Sequence, residues 1–506
     1  MTVSEDAASI ALSLISHTNA GKTTLARTML GRDVGEVRDA AHVTQEASRH
    51  PMIDTPEGDA LVLWDTPGFG DSVRLAKRLA QQGNPIGWFL SEVWDRYRDR
   101  AFWLSQQAVG NVREQADVVL YLVNASEAPA DAGYLPSELS VLEWIGKPVI
   151  VLLNQLGRPR PSAEEAAEET RWHQALGARP IVRTVIGMDA FARCWVQELE
   201  LLRVIDAAIP EEKRAAYGRL VGAWQQRRFD QFDQAMEALA APIAYAACDS
   251  EPVPDASVKR TLRDLGRAIG YGRDELDDER ARAATALATR LDDALRTGTD
   301  RLIAIHGLEG HASTEVMARL TEGLATDAPV SEGKAAMMGG AVSGALTGLV
   351  ADLAAGGFTF GAGMLTGAVL GALGGVGIAR GMNLARGSSG TTVRWDDAFL
   401  GGLAGPAILR YLAVAHYGRG RGEWKKTEYP DFWPPLVSRI VDARRDQLQH
   451  AWARRLPACD ADAVQAALRP IVTDATREVL DALYPGALDK AAWPIATAAV
   501  DGRPAQ

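Results

Sequence analysis

The stretch Ile10-Ala-Leu-Ser-Leu-Ile15-Ser16-His-Thr-Asn-Ala-Gly21-Lys22-Thr23-Thr24-Leu25-Ala-Arg-Thr-Met-Leu30 decides the fold. An apolar run that breaks into a short polar loop and resumes as a helical pattern reads as strand, loop, helix. Such a loop presents backbone N–H groups to an anion at a helix N-terminus, with a lysine for the outer phosphates and a hydroxyl for a divalent cation. Ser16 stands where loops of this type usually carry their first glycine.

Working outward, four more apolar runs follow: Ala60 to Trp64, Val118 to Val123, Val149 to Leu153 and Ile181 to Ile186. Their alternation with helical segments predicts an α/β domain with a mostly parallel sheet and helices on both faces. The second run ends in Asp65-Thr-Pro-Gly68. A strand-end aspartate can hold magnesium through water, and the Gly68 N–H can meet a γ-phosphate. Thr44, in the polar stretch Ala41 to Ser48, is placed to reach both magnesium and γ-phosphate. After the strand Val149 to Leu153 comes Asn154-Gln-Leu-Gly157. Guanine selection relies on a carboxylate at this point, which Gly157 cannot supply; Asn154 can orient the loop or touch the base edge. Asp189, after the last run, either supplies that carboxylate or caps a helix. The choice of purine stays open.

These residues resemble the Era-like GTPases, the branch that includes the tRNA-modification GTPase, over roughly residues 8 to 195. The resemblance implies a P-loop GTPase with GTP as substrate and Mg2+ as cofactor. It implies nucleotide contacts from Ser16, Asn19, Ala20, Gly21, Lys22, Thr23, Thr24, Asn154 and Asp189. Lys22, Thr44 and Gly68 would serve catalysis, and Thr23, Thr44 and Asp65 would hold Mg2+. In that branch an asparagine at the place of Asn19 helps bind K+, which replaces an arginine finger. Phe69 stands where some GTPases carry a water-positioning glutamine, so slow hydrolysis accelerated by K+ or by homodimerisation of this domain is implied. More narrowly, the layout is similar to a bacterial family in which an Era-like domain precedes a C-terminal domain of unknown function. Leu409 to Trp424 supports that likeness.

The 506 residues exceed one ordinary core, and 47% apolar content leaves ample material for several. A net charge of -11 argues against general nucleic-acid binding, which needs a basic face. The three cysteines, Cys194, Cys248 and Cys459, show no metal spacing and fit a reducing compartment better than a disulfide scaffold. The N-terminus lacks a secretory pattern, so the nucleotide domain is expected in the cytoplasm.

The expected organisation is a GTPase domain over 1–205, a helical connector over 206–334, a glycine-rich apolar hairpin over 335–380 and a helical domain over 381–506. Gly340, Gly344 and Gly348 recur every four residues, as do Gly363, Gly367 and Gly371, which puts each trio on one helix face. Asp352 is the only formal charge between Ala335 and Ala379. Two readings stand: a membrane-associated hairpin at the inner membrane, or a buried hairpin in a soluble domain. The basic stretch Arg419 to Lys426, with Trp424, suits anionic head groups or a solvated loop. The leading expectation is a GTP-hydrolysing switch coupled to a membrane-associated helical domain. The alternatives are a soluble RNA- or ribosome-associated GTPase and a nucleotide-binding scaffold with little turnover.

Overall fold

The computed structural model describes residues 7–17, 20–32, 48–69, 71–81, 100–157, 159–177, 179–192, 194–253, 275–308, 382–387, 390–417, 430–455 and 459–488. The hairpin over 335–380 and the basic stretch 419–426 lie outside them. The described residues fall into two compact units, one drawn from Met1–Asp230, His416–Glu423 and Leu480–Gln506, the other from Gln231–Ala415 and Trp424–Val479.

The first unit is built on a six-stranded sheet. Its elements are β1 (Ser9–Ser16), α1 (Lys22–Leu30), β2 (Ser48–Asp54), β3 (Ala60–Asp65), α2 (Ser72–Gln81), α3 (Arg100–Gln115), β4 (Val118–Asn124), α4 (Leu135–Ile145), β5 (Val149–Asn154), α5 (Ser162–Leu176), β6 (Val182–Gly187) and α6 (Trp195–Asp206). The strand order is β2-β3-β1-β4-β5-β6, parallel throughout except for β2. Helices cover both faces of the central strands, so β1, β4 and β5 are continuous apolar runs rather than alternating ones. Leu12, Leu14, Leu120, Tyr121, Ile150 and Val151 are fully buried. The sequence did not announce β2. Ser48-Arg-His-Pro-Met-Ile-Asp54 is half polar, and Pro51 is tolerated because the strand is an antiparallel edge with an irregularity between Pro51 and Ile53.

The long helix α7 (Arg214–Cys248) starts in this unit. The residue before it and its second turn are tied to the sheet end opposite the phosphate loop. Lys213 donates to Asp117 at 2.8 Å, and Arg219 holds Asp59 with two bonds of 2.7 and 3.1 Å. Asp59 also accepts from the Ala8 N–H at 3.0 Å. Late in the chain, Tyr417 pairs as an antiparallel bridge with Ala192, and His416 Nε2 lies 2.8 Å from the Tyr484 hydroxyl.

The second unit is mainly helical. It holds the rest of α7, then α8 (Glu275–Ile305), α9 (Asp397–Gly402), α10 (Ala404–Ala415), α11 (Trp433–Asp442), α12 (Arg445–Ala453) and most of α13 (Ala461–Leu483). Leu287, Leu291, Leu295 and Leu302 of α8 and Met236 and Ile243 of α7 are buried in its core. The mainly helical character is as expected, with two additions, the second of which corrects the reading of the cysteines as unpaired. First, β7 (Ser250–Val253), β8 (Met382–Gly387) and β9 (Gly390–Trp395) form an antiparallel sheet in the order β7-β9-β8. In β9, Val393 and Trp395 are buried while Thr392 and Arg394 are half-exposed, the two-residue period of a strand. Second, Cys248 and Cys459 form a disulfide across 211 positions, with Cα atoms 5.3 Å apart. Among the described residues one helical stretch, Asp397–Ala415, is long and apolar enough to cross a membrane; 61% of its most apolar window is buried inside the protein, as in an ordinary core helix.

Candidate functional site

The loop after β1 closes around Lys22. Gly21 has φ +86 and caps α1, and a Cβ there would lie 2.7 Å from Asn154 Nδ2, so the turn and the close approach both require glycine. Lys22 Nζ donates to Ser16 Oγ at 3.1 Å. Ser16 therefore faces the lysine head where a glycine was expected. The Phe69 N–H donates to the Ser16 carbonyl at 2.9 Å and clasps the Asp65–Gly68 loop to the phosphate loop. Gly68 is the second position where space is decisive: its Cβ would lie 2.9 Å from Lys22 Nζ and 3.1 Å from the Ser16 carbonyl oxygen.

Thr23 Oγ1 donates to Asp65 Oδ2 at 2.8 Å. Asp65 Oδ1 is buried and has no hydrogen-bond partner among the described residues. Burial lowers the pKa of Lys22, with Asp65 and Glu138 opposing, and raises that of Asp65, with Lys22 and Thr23 opposing. Both charged groups are thus under-compensated by the protein. An anion beside Lys22 and a divalent cation beside Asp65 Oδ1 and Thr23 Oγ1 are the complements such a pair lacks, so these residues fit a hydrated Mg2+. Thr24 is buried in the first turn of α1, where its carbonyl accepts from the Thr28 hydroxyl. Asn19 and Thr44 lie outside the described residues.

The base-side residues converge as well. Fully buried Asn154 donates through Nδ2 to the Ala20 carbonyl at 2.8 Å, and its Oδ1 accepts from the Ala190 N–H at 2.8 Å. Asp189 accepts from the Leu156 N–H and the Phe191 N–H, each at 2.8 Å. It does not cap α6, whose N-cap is Cys194. The expected capping role is replaced by an Asx-type turn that also ties two loops together.

Sequence reasoning missed Glu138. This carboxylate on α4 is fully buried, with Oε1 2.7 Å from His17 Nδ1 and Oε2 accepting from the Tyr121 hydroxyl at 2.6 Å. His17 also stacks on Tyr134 with ring centroids 4.2 Å apart. Burial pushes the Glu138 pKa up, against its bonds to His17 and Tyr121. The run Leu135-Pro-Ser-Glu-Leu-Ser-Val-Leu mixes polar and apolar residues and carries no local signal for it.

Residues 12–155 match the family described as 50S ribosome-binding GTPase. With the sheet order and the Lys22, Thr23 and Asp65 geometry, this defines the class: the N-terminal domain is a P-loop GTPase domain. Residues 174–460, more than half of the chain, match the domain of unknown function DUF3482, and the chain belongs to that family. Similar solved structures include Era in complex with MgGDPNP and nucleotides 1506–1542 of 16S ribosomal RNA, at 18% identity over 40% of this chain and 58% of that one, with a TM-score of 0.30. An Era variant from Aquifex aeolicus bound to GDP.AlF4- is 15% identical over 57% of this chain and 89% of that one, also with a TM-score of 0.30. The chain thus spans under two thirds of the first structure's length, and neither likeness carries an argument of its own. No curated protein matches the chain.

Proposed function

We propose that the protein is a GTP-hydrolysing switch whose nucleotide state is passed to its DUF3482 region. The observation that carries this is the buried Lys22, Thr23 and Asp65 cluster, with Asp65 Oδ1 unpartnered among the described residues and Gly68 against Lys22 Nζ. Lys22 neutralises phosphate charge, Thr23 and Asp65 hold Mg2+, and the Gly68 N–H, with Thr44, senses the γ-phosphate. Mg2+ would supply charge neutralisation between the outer phosphates. Loss of the γ-phosphate removes an anchor shared by the loops carrying Thr44 and Asp65 to Asp71, which are the expected bistable elements. Asn19 is the proposed K+ ligand, with dimerisation of this domain as the accompanying stimulus.

The test is phosphate release by the full chain with GTP, in K+ and in Na+, for the wild type, Lys22→Ala and Asn19→Ala. Hydrolysis that survives Lys22→Ala sinks the site. Stimulation by K+ that survives Asn19→Ala removes the potassium role.

For the partner, the apolar, glycine-patterned composition of residues 335–380 supports association with the inner membrane from the cytoplasmic side. The family description, 50S ribosome-binding GTPase, supports a second reading in which the partner is a ribosomal particle. Fractionation separates them: a salt-washed membrane pellet supports the first, and co-sedimentation with 50S particles the second.

A further inference from the structure

Among the described residues, Asn154 and Asp189, the two side chains expected to meet a base, are both engaged by backbone groups. A carboxylate offers about four lone-pair sites. Each oxygen of Asp189 accepts one backbone bond, Oδ2 from the Leu156 N–H and Oδ1 from the Phe191 N–H, both at 2.8 Å. Asn154 spends its amide on Ala20 and Ala190. The two loops that follow β5 and β6 are thereby locked to each other and to the phosphate loop. What was a candidate reader of the base is the fastening of its cradle. Meanwhile the place after Asn154-Gln-Leu, where a carboxylate would face guanine, is Gly157, with φ +84 and nothing within 4 Å of a Cβ added there. Aspartate tolerates this left-handed backbone better than most residues.

We infer that the nucleotide site does not read the exocyclic 2-amino group, so that guanine and hypoxanthine nucleotides are equivalent ligands for it. This rests on the nucleotide-binding reading proposed above. Selectivity against an analogue lacking one polar group arises when a buried site group is left unpaired by that analogue. Here the analogue leaves Asp189 as well bonded as before, because its partners are all backbone.

The experiment is calorimetric binding of GDP and IDP, which differ only in the 2-amino group, to the full chain with Mg2+. The wild type is expected to bind both within about threefold. Gly157→Asp is expected to tighten GDP by about tenfold or more while leaving IDP within threefold, because it adds a charged acceptor for the amino group. Asp189→Asn is expected to weaken GDP and IDP by the same factor, since it loosens the loops and not a base contact. A wild-type preference for GDP above about thirtyfold overturns the inference. So does an Asp189→Asn variant that loses GDP affinity alone. Should Asp189→Asn fail to fold by circular dichroism, the wild-type ratio and Gly157→Asp still decide. If neither nucleotide binds the wild type, the proposed nucleotide site falls, and the inference with it.

Discussion

Gly68 sits so close to Lys22 that its substitution is a direct probe of the lysine head. A Cβ 2.9 Å from Nζ moves the charge from where phosphate would lie, and at 3.1 Å from the Ser16 carbonyl oxygen it also crowds the phosphate-loop backbone. Gly68→Ala is expected to slow GTP hydrolysis by about tenfold or more, with unfolding stability lowered by about 1 to 3 kcal/mol. Single-turnover rates and urea titration check this together. Asp59 and Arg219 provide the corresponding test away from the site. The Arg219 guanidinium holds the buried Asp59 carboxyl below its ordinary pKa, so this pair's contribution is present above the unfolded aspartate value and is lost as pH falls through the lowered one. Arg219 is 39% exposed, so Arg219→Ala is expected to cost about 2 kcal/mol at pH 7, below the figure for a fully buried pair. The gap from wild type should narrow by pH 3. A constant gap in urea melts at both pH values would show that the lost term is packing.

Among elements, α4 contributes more to the phosphate loop than its apolar face suggests. Glu138 reaches His17 inside the loop and Tyr121 on β4, so it fixes the loop from behind without touching the phosphate region itself. Glu138→Gln is expected to raise KM for GTP several-fold with kcat nearly unchanged, because positioning is lost while Lys22, Thr23 and Asp65 remain. A fall in kcat at constant KM would assign Glu138 to the chemistry instead. The parallel strands were legible because burial on both faces forces unbroken apolar runs, and the juxtaposition of Lys22, Thr23 and Asp65 because their order along the chain is fixed by the strand-loop-helix turn. Strand β2 was not legible, since an edge strand exposed on one side needs little apolar signal and Pro51 argues against it. Glu138 was hidden for the opposite reason: its partners are 17 and 121 positions away, beyond any local pattern. The Cys248–Cys459 pair is a similar case, because a spacing of 211 carries no motif.

At the scale of the molecule, that disulfide closes most of the second unit into one loop. Cys459 is exposed and Cys248 half-exposed, so a dithiol can reach the bond. In the chain-entropy picture, closing a loop of this length stabilises by up to about 5 kcal/mol. Reduction is therefore expected to lower the melting transition of the second unit while leaving that of the first in place, as read by calorimetry with and without a dithiol. An unchanged thermogram would show that the bond adds nothing to stability.

The bridge between Ala192 and Tyr417 alters where the GTPase part can be cut. The loop that carries Asp189 is flanked on one side by a residue supplied more than two hundred positions downstream, within the span matched by DUF3482. A gene fragment ending near residue 205 would encode every motif of the proposed nucleotide site and yet omit the bridge partner of the Asp189 loop. Modularity in the coding sequence and modularity in space do not coincide here. A recombinant piece made on motif boundaries should therefore bind nucleotide more weakly than the intact chain, and adding residues 410–488 in trans is the complementation by which that bridge could be restored.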